Sequence, residues 1–166
     1  MTREAALAVM IGVAVLLLAT LAFAWWRRAR RDAGLVAPVG EPPADAAELA
    51  RWSGLYVATT VHDQPLERLA VRGLGFRSRA VLTVTDRGIG LELPGSPAYF
   101  LPVAQLVAAD QSQVVIDRVV ERDGLVRLVW RIDGERLVDS YLRPQDVSAK
   151  TVADSIRPLI PSGSDA

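Results

Sequence analysis

The chain of 166 residues contains no cysteine, one histidine and equal numbers of acidic and basic side chains, 19 of each. The lack of cysteine excludes a disulfide framework, a thiolate metal site and a cysteine nucleophile. Charge is unevenly distributed, because the residues after Arg31 include 14 basic and 18 acidic side chains. A nucleic-acid-binding domain would carry the opposite excess, so we expect no nucleic-acid partner.

The first predicted element is a membrane-spanning helix. Hydrophobic residues make up 51% of the chain, which is high for a soluble protein, and the 22 residues from Ala5 to Trp26 include no charged side chain. A helix of that length extends about 33 Å, enough to cross the hydrocarbon core of a bilayer. We therefore expect residues 1–31 to anchor the chain in a lipid bilayer.

An arginine cluster follows the apolar segment directly, and positively charged segments are retained on the cytoplasmic side of a membrane. This asymmetry predicts a protein of the inner cell membrane, with its N-terminus outside and its C-terminal domain in the cytoplasm. The arginines are expected to contact anionic headgroups, and two preceding tryptophans to act as interfacial anchors. The cluster consists of Arg27, Arg28, Arg30 and Arg31, and the tryptophans are Trp25 and Trp26.

A cleaved signal peptide is the alternative interpretation of this segment, because Ala22, Phe23 and Ala24 form an A-x-A pattern. However, the apolar run is longer than the roughly 7–15 residues of a signal-peptide core. The arginines that follow it also resist translocation. We therefore favour an uncleaved anchor.

The composition changes after the arginine cluster. Pro38, Pro42 and Pro43 cannot continue a helix and favour extended backbone. This pattern predicts a proline- and alanine-rich linker over residues 32–50. A globular domain is then expected over residues 51–161, with a polar tail over residues 162–166.

Apolar and polar residues alternate through most of this domain, which is the pattern of antiparallel strands buried on one face. Asp-Gly pairs at 123–124 and 133–134 tolerate positive φ and predict hairpin turns on both sides of one strand. The predicted strands cover residues 55–61, 80–85, 89–93, 99–101, 105–109, 114–120, 125–132 and 136–142.

The apolar spacing becomes helical after residue 144, where Val152 and Ile156 lie on one face. Asp146 or Ser148 is the expected N-cap, and Pro158 is expected to kink or end the helix. A single terminal helix can close one end of a β-structure. We predict a mainly β fold, an antiparallel β-sandwich or barrel of seven or eight strands capped by a C-terminal helix, which is a pleckstrin-homology-like (PH-like) arrangement.

The segment Gly73-Leu74-Gly75-Phe76 is the tetrapeptide with which PDZ domains bind a terminal carboxylate. A PDZ groove needs a helix that is followed by a strand, whereas the predicted helix is terminal. A dinucleotide-binding loop is disfavoured as well, because a strand rather than a helix follows the glycines. We therefore interpret the glycines as a tight approach before the strand at Ala80.

Arginines crowd the same connection, and clustered guanidinium groups favour phosphate oxygens. The triplet Arg77-Ser78-Arg79 resembles the basic pair that phosphoinositide-binding PH domains place there. Ordinary ion pairing with Glu67 and other surface acids is the alternative. We take Arg72, Arg77 and Arg79 as candidate phosphate- or lipid-binding residues.

We find no catalytic or metal-binding motif in the sequence. His62-Asp63 is too small a set for a metal or catalytic site, given a single histidine and no cysteine, so we interpret His62 as a surface residue. A group of acids lacks the alternating ligands of a calcium loop and is interpreted as a solvated strand end. No catalytic residue, metal or cofactor is predicted. The acids are Asp110, Asp117, Glu121 and Asp123.

Four segments together resemble a family of actinobacterial membrane-anchored PH-like proteins, often labelled export, transporter or membrane proteins. The resemblance covers nearly the whole chain and implies a single-pass membrane protein with no established catalytic residues. One membrane helix cannot enclose a transport path by itself, so a transport role would need oligomers or partners. The segments are WWRRARR (25–31), SGLYVATT (53–60), RGLGFRSRAVLTVTDRGI (72–89) and DGLVRLVWRIDG (123–134).

These observations lead to two functional hypotheses. In the first, the cytoplasmic PH-like domain is a non-enzymatic protein-interaction or scaffolding module that binds an unknown membrane or cytoplasmic protein, for example by strand addition. In the second, the domain binds anionic lipid or phosphoinositide headgroups through Arg72, Arg77 and Arg79.

Overall fold

The computed structural model describes residues 3–32, 34–74, 76–112 and 124–161. Within these ranges, five side chains of the N-terminal helix are not described. The chain divides into two compact units, Met1–Gly34 and Leu35–Ala166. The five side chains are those of Ala6, Arg28, Ala29, Arg31 and Asp32.

Helix α1 (Arg3–Asp32) forms the first unit. Its segment Arg3–Arg27 has a mean hydropathy of 2.7 and is long and apolar enough to cross a membrane. Near its C-terminal end Trp25 and Trp26 are exposed, and the guanidinium carbon of Arg30 lies 4.2 Å from the centre of the Trp26 ring. The structure confirms the predicted apolar helix, while its insertion and orientation in a membrane stay predictions.

The second unit is mainly β, as the alternating pattern predicts. Along most strands, buried side chains on the inner face alternate with more exposed ones on the outer face. Some segments are buried on both faces, for example residues 56–60. The described strands are β1 (Glu48–Val61), β2 (Gln64–Arg68), β3 (Ser78–Thr85), β4 (Gly88–Glu92), β5 (Tyr99–Pro102), β6 (Leu106–Ser112), β7 (Leu125–Ile132) and β8 (Arg136–Pro144).

The strands form one antiparallel sheet in the order β5-β4-β3-β1-β8-β7-β6, and β2 pairs with the end of β1. β5 and β6 lie at opposite ends of this order, yet only the 3₁₀ turn Val103–Gln105 separates them along the chain. The sheet therefore curves until its two ends approach each other. The curvature encloses one core, in which Tyr56, Trp130 and Ile89 are among the largest fully buried side chains.

Helix α2 (Ala149–Ile156) packs on β6, β7 and β8. Val152 and Ile156 have no exposed surface, so the helix closes the core on one side as predicted. It ends before Pro158, which lies in a 3₁₀ turn.

The two predicted N-cap residues have different roles. The side chain of Ser148 accepts a hydrogen bond of 3.1 Å from the backbone N–H of Thr151 and caps α2. Asp146 accepts a hydrogen bond of 3.1 Å from the backbone N–H of Ser53 and so ties β1 to the segment before the helix. Ser148 is therefore the N-cap.

The folded domain begins earlier in the chain than the predicted boundary at residue 51. Leu35 and Ala37 are buried in the core and β1 starts at Glu48, although residues 32–50 read as a linker. Strand β2 was not predicted. The predicted strand over residues 114–120 lies outside the described residues.

Candidate functional site

The predicted phosphate-binding arginines lie on one connection, which we call the basic loop (residues 69–79, with Gly75 not described). Arg72, Arg77 and Arg79 are all exposed, and neither Arg72 nor Arg79 forms an ion pair with another described residue. Arg79 lies on β3 opposite Leu55 and lines a groove of about 710 Å³. Arg72 and Arg77 do not line that groove, so the three guanidinium groups share a surface element rather than one pocket.

Buried residues hold the basic loop against the core. Leu69, Val71 and Leu74 are each less than 5% exposed, and the N–H of Leu74 donates to the carbonyl oxygen of Val71 at 3.0 Å. The Tyr56 hydroxyl donates to the carbonyl oxygen of Leu74 at 2.7 Å. The part of the loop before Gly75 is therefore anchored to the core.

Gly73 is required where this loop crosses the core. Its φ is +88°, and a Cβ atom added to it would lie 1.7 Å from the hydroxyl oxygen of Tyr99. The position needs a residue that has no side chain and that adopts a positive φ without strain. This geometry bears out the predicted close approach of the backbone at Gly73, while Gly75 lies outside the described residues.

The basic loop turns Phe76 away from the protein. Its side chain is 88% exposed and lies next to the exposed Arg77. An exposed aromatic ring among cationic side chains is typical of surfaces that enter the interfacial region of a membrane. The glycine pattern gives no indication of an exposed ring at Phe76, and the arginines on both sides of it were the available signal.

A second group of functional side chains, which we call the His62 cluster (His62, Asp63, Arg127 and Asp139), lies where β1 turns into β2. His62 Nδ1 is 2.7 Å from Asp139 Oδ1, and Asp139 has no exposed surface. The backbone N–H of Asp63 donates to Asp139 Oδ2 at 3.1 Å. Asp139 thus fixes both the imidazole ring and the turn that carries it.

The opposite nitrogen of the ring faces a second carboxylate. His62 Nε2 is 3.4 Å from Asp63 Oδ2, and the Asp63 side chain is 70% exposed. The Arg127 guanidinium lies 3.0 Å from Asp63, 3.6 Å from Asp139 and 3.8 Å from Asp110. Three carboxylates therefore share one close guanidinium group.

The outer side of β8 next to this cluster is apolar. Tyr141 packs with Val57, Ala58 and Leu125 in a small cluster of its own. Burial raises the pKa of Tyr141 above its ordinary value, and the negative charge of Asp139 raises it further. The phenol is therefore neutral at physiological pH.

His62 lies at the surface with 31% of its side chain exposed, but its ring is also paired with a buried carboxylate, which the sequence did not indicate. Sequence reasoning missed Asp139 and Arg127. The available signal was Asp139 as the one charged residue in the segment Leu137–Leu142. Of the predicted group of acids, Asp110 pairs with Arg127, and the other three lie outside the described residues.

An acidic groove of about 510 Å³ lies over the outer face of β3 and β4. Glu41, Glu48 and Glu92 line it together with Arg51, whose guanidinium binds Glu92 at 2.9 Å. The Thr83 hydroxyl at the same groove is buried and has no hydrogen-bond partner among the described residues. The groove therefore offers oxygen acceptors and an excess of negative charge.

Comparison with known proteins identifies the second unit. Residues 36–156 match the model of a family described as bacterial PH domain-like. The match begins beside the first buried residue, Leu35, and ends at Ile156, the last residue of α2. No curated protein matches the chain.

Proposed function

This chain belongs to the bacterial PH domain-like family, and we propose that it is a single-pass membrane protein whose PH-like domain binds the anionic inner leaflet through the basic loop. The observation that carries the proposal is the 88% exposure of Phe76 on a loop that also carries exposed arginines. The proposal gives the domain a binding role and no catalytic one.

The energies of the two kinds of contact support this role. Transfer of a Phe side chain out of water contributes about 1.5–3 kcal/mol, and each arginine near an anionic surface contributes about 1 kcal/mol. The hydrogen bond from Tyr56 and the close fit of Gly73 hold the loop in place beforehand. Little ordering entropy is then lost on binding.

The covalent connection to α1 favours the same partner. The helix ends at Asp32 and the core begins at Leu35, and a chain extends by at most about 3.6 Å per residue. An embedded α1 would therefore keep the domain at a high effective concentration beside lipid headgroups. Under that condition a weak contact between loop and lipid is sufficient.

Labelling of single cysteines tests the topology, because the natural chain has no cysteine. We expect a membrane-impermeant maleimide to label Thr2→Cys in intact cells. It should label Leu49→Cys, whose position is 57% exposed, only after lysis. Labelling of Leu49→Cys in intact cells would place the domain outside and contradict the proposal.

The same approach tests lipid binding. We expect an environment-sensitive dye on Phe76→Cys to shift its emission to the blue when the full chain is in vesicles that contain phosphatidylglycerol. No shift is expected in pure phosphatidylcholine. Leu49→Cys is the matched control. Leu49 lies at the start of β1, whereas the basic loop adjoins the second half of that strand.

Charge variants separate electrostatic attraction from apolar insertion. Arg72→Gln combined with Arg79→Gln should lower the phosphatidylglycerol-dependent dye response at Phe76→Cys, and added salt should do the same. A dye response that is equal in both lipids, or absent in both, would refute binding of the anionic leaflet by this loop.

A protein partner is the second candidate, and the acidic groove favours it. The carboxylates of Glu41 and Glu48 match a lysine or arginine side chain of a basic peptide. Strand addition is disfavoured at β5, because residues 38–40 already pair with residues 98–100.

A photo-reactive residue in place of Glu48 tests this candidate in the native membrane. It should crosslink to a basic segment of one protein, identified by mass spectrometry, whereas the same residue in place of Glu135 should not. Equal crosslinking at both positions would argue against the groove as a binding site.

A further inference from the structure

We propose that His62 and Asp63 form a weak, exchangeable binding site for a divalent transition metal such as Zn²⁺, and that Asp139 positions the histidine for it. This site is separate from the basic loop and from the acidic groove. It rests on the described geometry of the His62 cluster, in which a histidine and two carboxylates have ligand atoms within 4.8 Å of one another.

The distance between the two proposed ligand atoms fits a bound metal. His62 Nε2 and Asp63 Oδ2 are 3.4 Å apart, and zinc binds histidine nitrogen and carboxylate oxygen at about 2.0–2.2 Å. A metal at those distances from both atoms makes a ligand–metal–ligand angle of about 110°, which is close to tetrahedral. The separation of the two atoms is therefore compatible with chelation of one metal ion.

The other ring nitrogen explains which face of the histidine is available. Nδ1 is held at 2.7 Å by Asp139 Oδ1, and a carboxylate that accepts the Nδ1–H leaves the Nε2 lone pair for a metal. Asp139 has no exposed surface, so a hydrated ion reaches Nε2 rather than Nδ1. The same hydrogen bond fixes the orientation of the imidazole ring.

The charges around the site favour a cation. Asp63, Asp110 and Asp139 share the guanidinium of Arg127. Arg157 also lies 3.9 Å from Asp110, but it is closer to Asp154, at 2.7 Å. Arg127 contacts Oδ1 of Asp63, whereas Oδ2 faces the histidine, so the guanidinium and a metal would use different oxygens of the same carboxylate.

The number of protein ligands limits the affinity. Two ligands leave the remaining positions of a tetrahedral zinc to water, and Asp63 is largely exposed. The site therefore has the character of an exchangeable site and not that of a structural zinc site, which closes with four protein ligands.

The single histidine of the chain makes a direct test feasible. With ring-labelled histidine in the full chain, held in lipid nanodiscs, only one set of imidazole resonances exists. We expect a Zn²⁺ titration to shift the Nε2 resonance of His62 and to leave Nδ1 as the protonated nitrogen. No shift up to millimolar Zn²⁺, or coordination through Nδ1, would overturn the proposal.

Three variants separate the roles of the neighbours. Asp63→Asn should remove most of the zinc-dependent shift, because it removes the carboxylate ligand while asparagine still tolerates the φ of +57° at this position. Asp139→Asn should weaken zinc binding about 10–100-fold, with Nε2 still the coordinating atom. Glu135→Gln changes an exposed acid outside the cluster and should leave the titration unchanged. If Asp63→Asn binds zinc as the wild-type chain does, the site is refuted. That outcome does not depend on whether Asp139→Asn folds.

Discussion

The hydroxyl oxygens of Thr59 and Ser140 lie 2.7 Å apart across the β1–β8 pair, inside the core. They are the middle of a buried chain of polar groups. The Trp130 indole N–H donates to Ser140 at 2.9 Å, Thr59 lies 2.9 Å from the Tyr56 hydroxyl, and that hydroxyl donates to the carbonyl oxygen of Leu74. A carbonyl oxygen can only accept, so the single hydroxyl proton of Tyr56 is used on Leu74. Thr59 therefore donates to Tyr56. Each donor in the chain then points toward the basic loop.

Tyr56→Phe should lower the free energy of unfolding by about 1–3 kcal/mol, because the carbonyl of Leu74 and the hydroxyl of Thr59 would lose a buried partner. Urea unfolding of the full chain in detergent micelles measures this. Hydrogen exchange in the basic loop should rise in the same variant.

A double-mutant cycle is the control for that assignment. Thr59→Val and Tyr56→Phe should together cost less than the sum of the single changes, because both remove the same hydrogen bond. Additive losses would contradict a continuous polar chain.

Gly73→Ala should destabilise the protein more than Gly95→Ala does. Both glycines have positive φ, +88° and +76°, and a Cβ atom at Gly95 would meet open space. The shared cost of a left-handed backbone is about 1–2 kcal/mol, and the clash with Tyr99 adds about 1–3 kcal/mol at Gly73 only. Urea unfolding compares the two variants.

Removal of the Tyr99 hydroxyl group tests the cause of that difference. Tyr99→Phe should partly rescue Gly73→Ala, since the hydroxyl oxygen is the atom closest to the added Cβ. It should not rescue Gly95→Ala. Equal costs for the two glycine variants would show that the backbone conformation alone matters.

Alkaline pH should destabilise the protein through two tyrosines. Burial raises the pKa of Tyr56 and of Tyr141 above the ordinary value. Above pH of about 10 the unfolded chain loses phenolic protons that the folded chain keeps. The unfolding free energy therefore falls as pH rises from the unfolded pKa toward the folded one.

Phenolate absorbance during an alkaline titration checks this prediction. The two groups should ionise together with unfolding rather than near pH 10 in the folded protein. Tyr141→Phe should make the alkaline decline in stability less steep, by up to about 1.4 kcal/mol per pH unit. Full ionisation of all tyrosines in a folded chain would contradict it.

The comparison of sequence and structure shows which features local patterns determine. The β7–β8 hairpin was predictable because Asp133 and Gly134 accept the positive φ values that its turn requires, +54° and +80°. Strand β2 was not, because its sequence is polar and contains Pro65. It forms because Thr60 and Val61 at the end of β1 pair with it.

Of the two candidate sites, one could be predicted from local sequence and the other could not. The arginines of the basic loop were predicted from local clustering, whereas the His62 cluster joins residues 77 positions apart. Only the register of β1 against β8, which pairs Thr60 with Asp139, brings them together. No local pattern contains that register, although a lone acid in the otherwise uncharged segment Leu137–Leu142 of β8 indicated a buried partner.

Ser148→Ala should destabilise α2 and the domain by about 0.5–2 kcal/mol, because the N–H of Thr151 would lose its side-chain acceptor. Ser155→Ala is the matched control. Its hydroxyl donates to the carbonyl of Val152 within the helix, and alanine has the higher helix propensity there, so its effect should stay within about 0.5 kcal/mol of zero. A loss at Ser155 equal to that at Ser148 would mean that serine packing, and not capping, stabilises the helix.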